Sequence, residues 1–419
     1  MREMKDSGIE WVGKVPATWK IMPNKYIMTK KKVIKEVYDG ENIISLSMNG
    51  VIIRDLEAGG KMPKTFDGYQ IVYPGNLLMC LFDYDVTPRC IGLIKDYGVT
   101  SPAYSQFVMN NGNYSGYYYY YYLMIDHTKA LLHLAKNLRH SLTEEQLGAI
   151  LAPVPTIEEQ QRIVDFLDFK CSKIDATAED IQKEITLLED YKKSLVYNVI
   201  SNGINHSIYS TESDEVWGNL PQGWKLVDIK YLFEIVKRIA GKEGYDVLSV
   251  TQKGLKIKDI TSGDGQLADN YCGYQFVYPT DYVMNHMDLL TGWVDCSELF
   301  GVTSPDYRVF RLIDRSAHNL VYYKYVMQCC YMNKIFYSLG QGVSNLGRWR
   351  LQTSSFNNFK IPVPPKDEQD EIADYLDTKC SEIDSLIADK KRQLDILADY
   401  KKSLIYEYVT GKKDVPVNE

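Results

Sequence analysis

The sequence predicts an α+β fold in which two mixed α/β domains are separated by two long antiparallel coiled-coil helices, as a pseudo-two-fold tandem repeat. Three observations predict this fold. The two halves of the 419-residue chain repeat collinearly, each half ends in a long heptad pattern, and each half begins with short alternating apolar runs. A repeat period near 205 residues is far too long for a solenoid, so we expect each half to fold as a unit.

The repeat is visible in four pairs of segments. VPATWK at Val15–Lys20 matches LPQGWK at Leu220–Lys225, and GYQIVYP at Gly68–Pro74 matches GYQFVYP at Gly273–Pro279, both 205 positions apart. YGVTSPAY and FGVTSPDY stand 203 positions apart, and the string DYKKSL recurs after 209 positions. These offsets differ so little that only short insertions separate the matched segments.

A long helix is expected at the end of each half, because apolar residues recur there every seven positions. Pro155 and Pro365 precede acidic first turns, which suit the positive end of a helix dipole. A single apolar stripe on so long a helix needs a partner, and the other copy is the nearest one. Lys390 interrupts the stripe of the second copy. The predicted helix-pair seam consists of Val164, Leu167, Cys171, Ile174, Ile181, Ile185, Leu188, Leu195, Ala373, Leu376, Cys380, Ile383, Ile387, Leu394, Leu397 and Leu404.

The DYKKSL strings fall in this heptad pattern near the end of each helix. Lys192 and Lys401 take a positions, and Leu195 and Leu404 take d positions. In an antiparallel pair, the end of one helix lies beside the start of the other. We therefore expect each DYKKSL string to face the acidic first turn of the other helix, which reads EEQQ or DEQD.

The block before each helix is predicted to be mixed α/β. YQIVYPGNLLMCLF and YQFVYPTDYVMN are typical of strands separated by Pro, Gly and Asp turns. The run Tyr117–Tyr122 leads into a helical pattern, and its tyrosines are expected to pack a half-buried helix face on the sheet, with base stacking as the alternative. The predicted boundaries are 1–152 and 206–361 for the α/β domains, 153–205 and 362–411 for the helices, and 412–419 for a tail.

The net charge of −7 is concentrated in the helical segments. Residues 153–200 hold 10 acidic against 6 basic residues, and residues 362–419 hold 14 against 9. The α/β blocks are therefore close to neutral, which leaves room for a local basic face on each of them.

Several classes of protein are disfavoured by what the sequence lacks. It contains no phosphate-binding loop, no GxGxxG, no HExxH and no GxSxG, which disfavours a self-sufficient enzyme. The eight cysteines form no CxxC pair and no cluster at metal spacing, so we expect free, buried thiols and no metal site. No run approaches the length of a membrane span and the first residues are polar, so a cytoplasmic location is expected.

Together these segments resemble the specificity (S) subunit of type I restriction–modification systems. The resemblance rests on the openings VPATWK and LPQGWK, the GVTSPAY and GVTSPDY segments, and the helix starts EEQQRIVDFLD and DEQDEIADYLD, and it covers essentially the whole chain. It implies that each α/β block is a target recognition domain that reads one half of a bipartite, asymmetric DNA site. The paired helices would set the spacing between the half-sites and dock two adenine-methyltransferase subunits.

The resemblance also implies the partners of the chain. These are double-stranded DNA, two methyltransferase (modification) subunits and, through the complex, restriction/translocase subunits, with no membrane. It implies no catalysis by the chain itself. S-adenosylmethionine and ATP with Mg would act only through the partner subunits.

Basic and amide-bearing residues in the loops of each block are the candidate DNA contacts. LSMNGVIIRD and LSVTQKGLKIKD occupy corresponding places but differ in their polar side chains, as two readers on one scaffold should. Thr100, Ser101, Thr303 and Ser304 of the GVTSP segments are expected to shape turns, with DNA contact as the alternative. The DNA-binding candidates are Lys30, Lys31, Lys32, Lys35, Ser47, Asn49, Arg54, Lys61, Lys64, Arg89, Lys237, Arg238, Lys242, Ser249, Thr251, Gln252, Lys253, Lys256, Lys258, Arg348 and Arg350.

One alternative from another class remains open. The chain could be a coiled-coil scaffold whose α/β modules bind proteins or polysaccharide rather than DNA. The two hypotheses differ in salt dependence, because phosphate binding weakens steeply as salt rises.

Overall fold

The computed structural model of the chain describes residues 2–57, 63–135, 140–205, 208–261, 268–342 and 349–416. Contacts divide the chain into two compact units, which are residues 1–181 with 392–419 (the first unit) and residues 182–391 (the second unit). Each unit contains one α/β block and part of both long helices. The predicted domain boundaries follow the sequence repeat instead, and they stay a prediction.

The first block and its helix contain twelve strands and four α-helices within the described residues. In chain order they are β1 Met4–Asp6, β2 Lys14–Pro16, β3 Lys20–Pro23, α1 Asn24–Ile27, β4 Met28–Lys31, β5 Ile44–Ser47, β6 Gly50–Ile53, β7 Gln70–Val72, β8 Leu77–Met79, β9 Ile91–Leu93, β10 Gly98–Thr100, β11 Ser105–Met109, α2 Ser115–Thr128, a 3-10 turn at Leu132–Leu134, α3 Glu144–Ala149, β12 Leu151–Val154 and α4 Ile157–Asn202.

The second block repeats this order, with a short α-helix in place of the 3-10 turn. Its elements are β13 Tyr209–Asp214, β14 Gly218–Pro221, β15 Lys225–Asp228, α5 Ile229–Leu232, β16 Phe233–Val236, β17 Leu248–Thr251, β18 Gly254–Ile257, β19 Gln275–Val277, β20 Tyr282–Met284, β21 Val294–Cys296, β22 Gly301–Thr303, β23 Arg308–Leu312, α6 Leu320–Met332, α7 Ile335–Ser338, α8 Thr353–Asn358, β24 Lys360–Val363 and α9 Lys366–Val409.

The sheets of the two blocks have the same topology. Each block contains a four-stranded antiparallel sheet, in the order β4-β11-β8-β9 in the first and β16-β23-β20-β21 in the second. Each also contains the hairpin β5-β6 or β17-β18, and further two-stranded pairs. The duplicated mixed α/β blocks and the two long helices confirm the predicted fold class.

The tyrosine-rich run lies inside α2 and forms part of the core of the first unit. Tyr117, Tyr118 and Tyr121 are fully buried, and Tyr120 and Tyr122 are nearly so. The prediction that these rings pack against the fold is confirmed, and their burial is deeper than the expected half-buried face. Base stacking would require exposed rings, which these five residues do not offer.

The start of each long helix holds the opening tryptophan of its own block. The indole N–H of Trp19 donates to Glu159 Oε2 at 2.9 Å, and that of Trp224 donates to Glu368 Oε2 at 2.9 Å. Trp19 is 1% exposed and Trp224 is 8% exposed, so both indole rings are buried. The repeated acidic turn therefore anchors the block to the helix that follows it.

The glutamine that follows each of these glutamates makes a second anchor. Gln160 Oε1 accepts from the backbone N–H of Tyr114 at 2.8 Å, just before α2, and its amide donates to Pro155 O at 3.0 Å. Gln369 Oε1 accepts in the same way from Asn319 N–H at 2.9 Å, just before α6. Both glutamine side chains are buried, and each satisfies a backbone donor that would otherwise be unpaired.

A third anchor joins the tyrosine helix to the long helix in each unit. Tyr120 OH donates to Asp168 Oδ1 at 2.7 Å, and Tyr325 OH donates to Asp377 Oδ1 at 2.7 Å. The helix starts EEQQRIVDFLD and DEQDEIADYLD thus carry a repeated structural role, which explains their similarity.

The two long helices pair antiparallel within each unit. In the first unit, Phe166 of α4 packs against Tyr408 of α9, with ring centroids 4.4 Å apart. In the second unit, Lys390 of α9, which interrupts the apolar stripe, forms an ion pair with Glu184 of α4. Packing and charge pairing therefore both contribute to the helix pair.

The DYKKSL lysines pair with aspartates that are themselves related by the repeat. Lys401 lies 2.6 Å from Asp175 in the first unit, and Lys192 lies 2.7 Å from Asp384 in the second. The prediction that these strings face the acidic first turn was therefore wrong in register. Glu159 of that turn is already occupied by the Trp19 indole.

The predicted seam positions lie on the buried side of their helices. Eleven are buried, and five are half-buried. The buried ones are Val164, Leu167, Cys171, Ile181, Ile185, Ala373, Leu376, Cys380, Ile383, Ile387 and Leu404. The half-buried ones are Ile174, Leu188, Leu195, Leu394 and Leu397.

Replacing Gln160 by alanine should destabilise the first unit by roughly 1–3 kcal/mol, because the buried N–H of Tyr114 loses its acceptor. Urea unfolding followed by circular dichroism measures this change. Gln161→Ala is the matched control, because its side chain is exposed and should change stability by less than about 0.5 kcal/mol. Equal effects of the two substitutions would contradict the anchoring role of Gln160.

Candidate nucleic-acid interface

A β-hairpin carries several of the candidate residues in the first block. Strands β5 and β6 pair with Ser47 opposite Gly50, so Met48 and Asn49 form the tip. Ser47 Oγ donates to Gly50 O at 3.0 Å and accepts from Asn49 N–H at 3.2 Å. Gly50 has φ +99°, a conformation that L side chains rarely adopt. Met48 is 73% exposed and Asn49 is exposed.

The second block carries the same hairpin with other side chains at its tip. Thr251 Oγ1 donates to Gly254 O at 2.9 Å and accepts from Lys253 N–H at 3.2 Å, and Gly254 has φ +96°. Gln252 and Lys253 form this tip, and both are exposed. Ser47 and Thr251 therefore shape the two turns, while the residues between them and the glycines face solvent.

In each block, a different residue outside the hairpin forms hydrogen bonds to the hairpin backbone. In the first block, Arg89 Nη1 donates to Met48 O at 2.9 Å and Arg89 Nε donates to Ile91 O at 3.1 Å. In the second block, Asp295 Oδ2 accepts from Leu255 N–H at 2.9 Å. The prediction that Arg89 contacts DNA needs correction, because its donors are occupied by the hairpin, by β9 and by the Tyr119 hydroxyl.

A groove of about 600 Å³ in the first unit begins at the hairpin tip. Its basic lining residues are Arg89, Lys95, Lys401 and Lys402. His127 also lines it, and burial lowers the pKa of this imidazole to about 4, so it is neutral at pH 7. Lys95 is an exposed cation beside the hairpin that sequence reasoning missed, because no motif singles it out.

A second cavity of about 600 Å³ lies in the second unit, beside the base of its hairpin. It is lined by Ser249 and Lys258 from the candidate set and by the aromatic residues Tyr274 and Tyr307. Burial raises the pKa of Tyr307, so its phenol remains protonated and can donate a hydrogen bond. The structure thus brings Ser249, Thr251 and the tip residues of the second hairpin into one region of the block.

Four other predicted contacts are occupied within the protein. Lys30 forms an ion pair with Glu144, and Lys31 Nζ lies 3.8 Å from the centroid of the Tyr73 ring. Lys35 contacts two carboxylates, and its hydrogen bond lowers the pKa of Glu41 to about 2.

The fourth of these residues, Arg238, forms an ion pair with Asp281, whose side chain is 1% exposed. Its guanidinium also lies 4.7 Å from the centroid of the Tyr278 ring. Arg238 is therefore a structural residue in the second block, and its prediction as a DNA contact needs correction.

The remaining candidates divide by exposure. Arg54 is half-buried after β6, and Lys258 stands at the corresponding position after β18. Lys61 and Arg348 lie outside the described residues. The exposed candidates in the described part of the chain are Lys32, Asn49, Lys64, Lys237, Lys242, Gln252, Lys253, Lys256 and Arg350.

The GVTSP segments shape the blocks, as predicted. Thr100 Oγ1 donates to Ile44 O at 2.6 Å, and Thr303 Oγ1 donates to Leu248 O at 3.0 Å, so each buried threonine ties its loop to the hairpin. Ser101 and Ser304 accept backbone N–H groups within their own turns.

Other site chemistries find no support in the part of the chain that the structure describes. All eight cysteines are free and six are buried, as predicted. The described residues contain no cluster of three or more His, Cys, Asp or Glu side chains that could hold a metal ion. Among them, no helix combines the length and apolarity that a membrane crossing requires.

Comparison with known proteins finds similarity to one family, over part of the chain. Residues 221–395 match the family model for the type I restriction modification DNA specificity domain. The specificity subunit of the type I restriction enzyme MjaVIII from Methanocaldococcus jannaschii is 25% identical over 284 residues, which cover 63% of this chain and 62% of that protein. A putative MjaX specificity subunit from the same organism is 24% identical, covering 65% and 61%. The match therefore spans less than two thirds of each relative.

A solved structure concerned with complex assembly and conformational transition of the type I R-M system contains a similar chain. Its TM-score is 0.68 at 13% identity, over 95% of this chain and 99% of that one. At this identity the similarity concerns the fold. Together these findings confirm the resemblance to type I specificity subunits that the sequence predicted.

Replacing Arg238 by alanine should destabilise the second unit by roughly 2–4 kcal/mol, because the carboxylate of Asp281 would remain buried without its cation. The double variant R238V/D281N introduces the residues found at the corresponding positions of the first block, Val33 and Asn76. It should lose less stability than Arg238→Ala, since it leaves no buried charge. Thermal unfolding measures both variants against the exposed-site control Lys237→Ala. Equal stability of Arg238→Ala and Lys237→Ala would contradict this structural assignment.

Proposed function

We propose that this chain, whose residues 221–395 match the type I restriction modification DNA specificity domain, is the sequence-reading subunit of a type I restriction–modification complex. Each α/β block reads one half of a bipartite, asymmetric DNA site. The observation that carries the proposal is the duplicated hairpin, which has the same turn geometry in both blocks and different exposed side chains at its two tips.

The charge distribution supports DNA rather than protein as the ligand of the blocks. The acidic excess lies in the helical segments, and exposed cations such as Lys95 and Lys253 lie at or beside the hairpins. Lysines at such positions can neutralise phosphates, while amide side chains read base edges. The paired helices would set the distance between the half-sites.

The long helices offer repeated surfaces for partner subunits. Leu187 and Tyr191 of α4 are 68% and 57% exposed, and Ile396 and Tyr400 of α9 are 61% and 54% exposed. Both pairs have i,i+4 spacing, which forms an apolar stripe on a helix, and the pairs are related by the repeat offset of 209. Two equivalent stripes suit two copies of one partner, and we assign them to two adenine-methyltransferase subunits.

In this proposal the chain contributes recognition and performs no chemistry. S-adenosylmethionine would bind the methyltransferase subunits. ATP and Mg would act in restriction/translocase subunits that join through the complex.

The alternative is a coiled-coil scaffold whose blocks bind proteins or polysaccharide. Binding of a DNA duplex that weakens at least tenfold between about 50 and 200 mM salt supports the proposal, because neutralised phosphates release counterions. Salt-independent binding of a protein or glycan by the blocks would favour the scaffold instead.

Co-expression of the chain with a type I methyltransferase subunit should yield adenine methylation at a split, asymmetric motif. Single-molecule sequencing of host DNA measures the motif, and cells that express either subunit alone are the controls. A complex that forms but methylates no split motif would contradict the reading function.

The substitution Leu187→Asp should reduce the number of bound methyltransferase subunits from two to one, because a carboxylate would replace an exposed apolar contact. Ile396→Asp should have the same effect, and the double variant should lose both copies. Native mass spectrometry counts the subunits. Thr186→Asp is the matched control, because that residue is exposed next to the stripe and its repeat counterpart is already Asp395. Retention of two copies by the double variant would contradict this docking surface.

A further inference from the structure

We propose that the two tip residues of each hairpin are the specificity-determining residues of that block, Met48 with Asn49 in the first and Gln252 with Lys253 in the second. This inference rests on the proposed function, keeps three of the candidate residues and adds Met48 to them. It also assigns the base chemistry that each tip would recognise.

The two turns share one backbone geometry. Hydroxyls of Ser47 and Thr251 make the same pair of hydrogen bonds, and the glycines that follow have φ +99° and φ +96°. The tip residues contribute neither the turn hydroxyl nor the glycine. Their side chains can therefore change without changing the turn.

Each hairpin is fixed against its own block. A Cβ at Gly92 of β9 would lie 2.4 Å from Val51 Cγ2, so β6 packs directly on that glycine. The corresponding residue of β21 is Asp295, which instead binds the backbone of β18. A supported hairpin loses little conformational entropy on binding, as a recognition element requires.

The chemistry and size of the tips suit base edges in the major groove. The major groove admits a two-stranded β-ribbon, and its base pairs present distinct donors and acceptors there. Asn49 and Gln252 have amides that can bond both N6 and N7 of adenine. The apolar side chain of Met48 suits the thymine methyl group, and Lys253 suits O6 and N7 of guanine. The first tip therefore matches A·T pairs, and the second matches an adenine next to a guanine.

Other exposed cations differ from the tips in placement. Lys32 follows β4 and Lys64 lies in the loop before β7, away from the hairpin turn in sequence. Such residues suit phosphate contacts, which position a duplex without reading its sequence.

The test exchanges the tips within the full chain, co-expressed with its methyltransferase subunit. The variants are M48Q/N49K, which gives the first hairpin the second tip, and Q252M/K253N, which does the reverse. Lys5→Gln on β1 is the control, because it is exposed outside both hairpins. The readout is the methylated motif, with circular dichroism and subunit stoichiometry as checks on folding and assembly.

We expect M48Q/N49K to change one or two letters of one half-site and Q252M/K253N to change letters of the other half-site only. Asn49→Ala should relax a single A·T position at least tenfold in methylated fraction. Unchanged letters in both exchanged variants would overturn the inference, and so would a uniform loss of methylation at every site. If the unsubstituted complex methylates no split motif, the proposed function itself fails. If it does and the tips change nothing, only this inference fails.

Discussion

The buried contacts between each α/β block and the start of its long helix are the constraint on which the rest of the structure depends. Near the start of α4, Glu159 accepts a hydrogen bond from the Trp19 indole. Gln160 accepts one from the backbone N–H of Tyr114, just before α2. One turn of the helix thereby fixes two distant segments of the block. Any surface that the block presents is consequently fixed relative to the helix beside it.

The second unit repeats these contacts through Glu368 and Gln369. Because both residues recur in both copies, the block can diverge elsewhere while its attachment stays the same. The two blocks have diverged even in their interiors. Tyr73 N–H donates to Gln106 at 2.9 Å in the first block, whereas Tyr278 N–H donates to Asp281 at 2.8 Å in the second.

The Asp281 carboxylate forms an ion pair with Arg238. In the first block, the neutral amides of Asn76 and Gln106 form a hydrogen bond at the corresponding place. A charged pair has thus replaced an amide network without a change in sheet topology. The interior of this fold therefore accepts different polar groups at one position. This tolerance allows two blocks of one origin to present different surfaces.

Repetition made the architecture predictable from the sequence. The heptad pattern and collinear matches predicted the long helices, and alternating apolar runs predicted strands that the structure contains. A structural role of Thr100 and Thr303 was also expected from the recurring GVTSP segment, although their burial was not. The tyrosines of α2 were expected to pack in the fold, although the sequence did not indicate how deeply.

The individual contacts could not be predicted in the same way. Lys30, Arg89 and Arg238 have the positive charge expected of DNA contacts. Only the fold brings their partners within the protein close to them. Sequence spacing alone does not reveal that a carboxylate 43 positions away lies beside Arg238. The partner of DYKKSL was missed for a similar reason, since the register of two helices depends on packing along their whole length.

The hairpins were predicted only in part from the sequence. Their sequences were recognised as corresponding segments, but only the turn geometry separates scaffold residues such as Ser47 and Thr251 from the exposed tip residues. Met48 lies in a Ser/Thr-x-x-Gly pattern that both halves of the sequence contain. The pattern identifies Met48 as a tip residue only once the glycine is known to close a turn.

The central claim is that each block reads DNA independently on a shared attachment. It is tested most directly by replacing residues 209–363 with a second copy of residues 4–154 while keeping both long helices intact. The repeated Glu-Gln anchor should hold the copy in place, and methylation should then occur at a split motif with two identical, inverted halves. Persistence of the original asymmetric motif in an assembled complex would contradict the account.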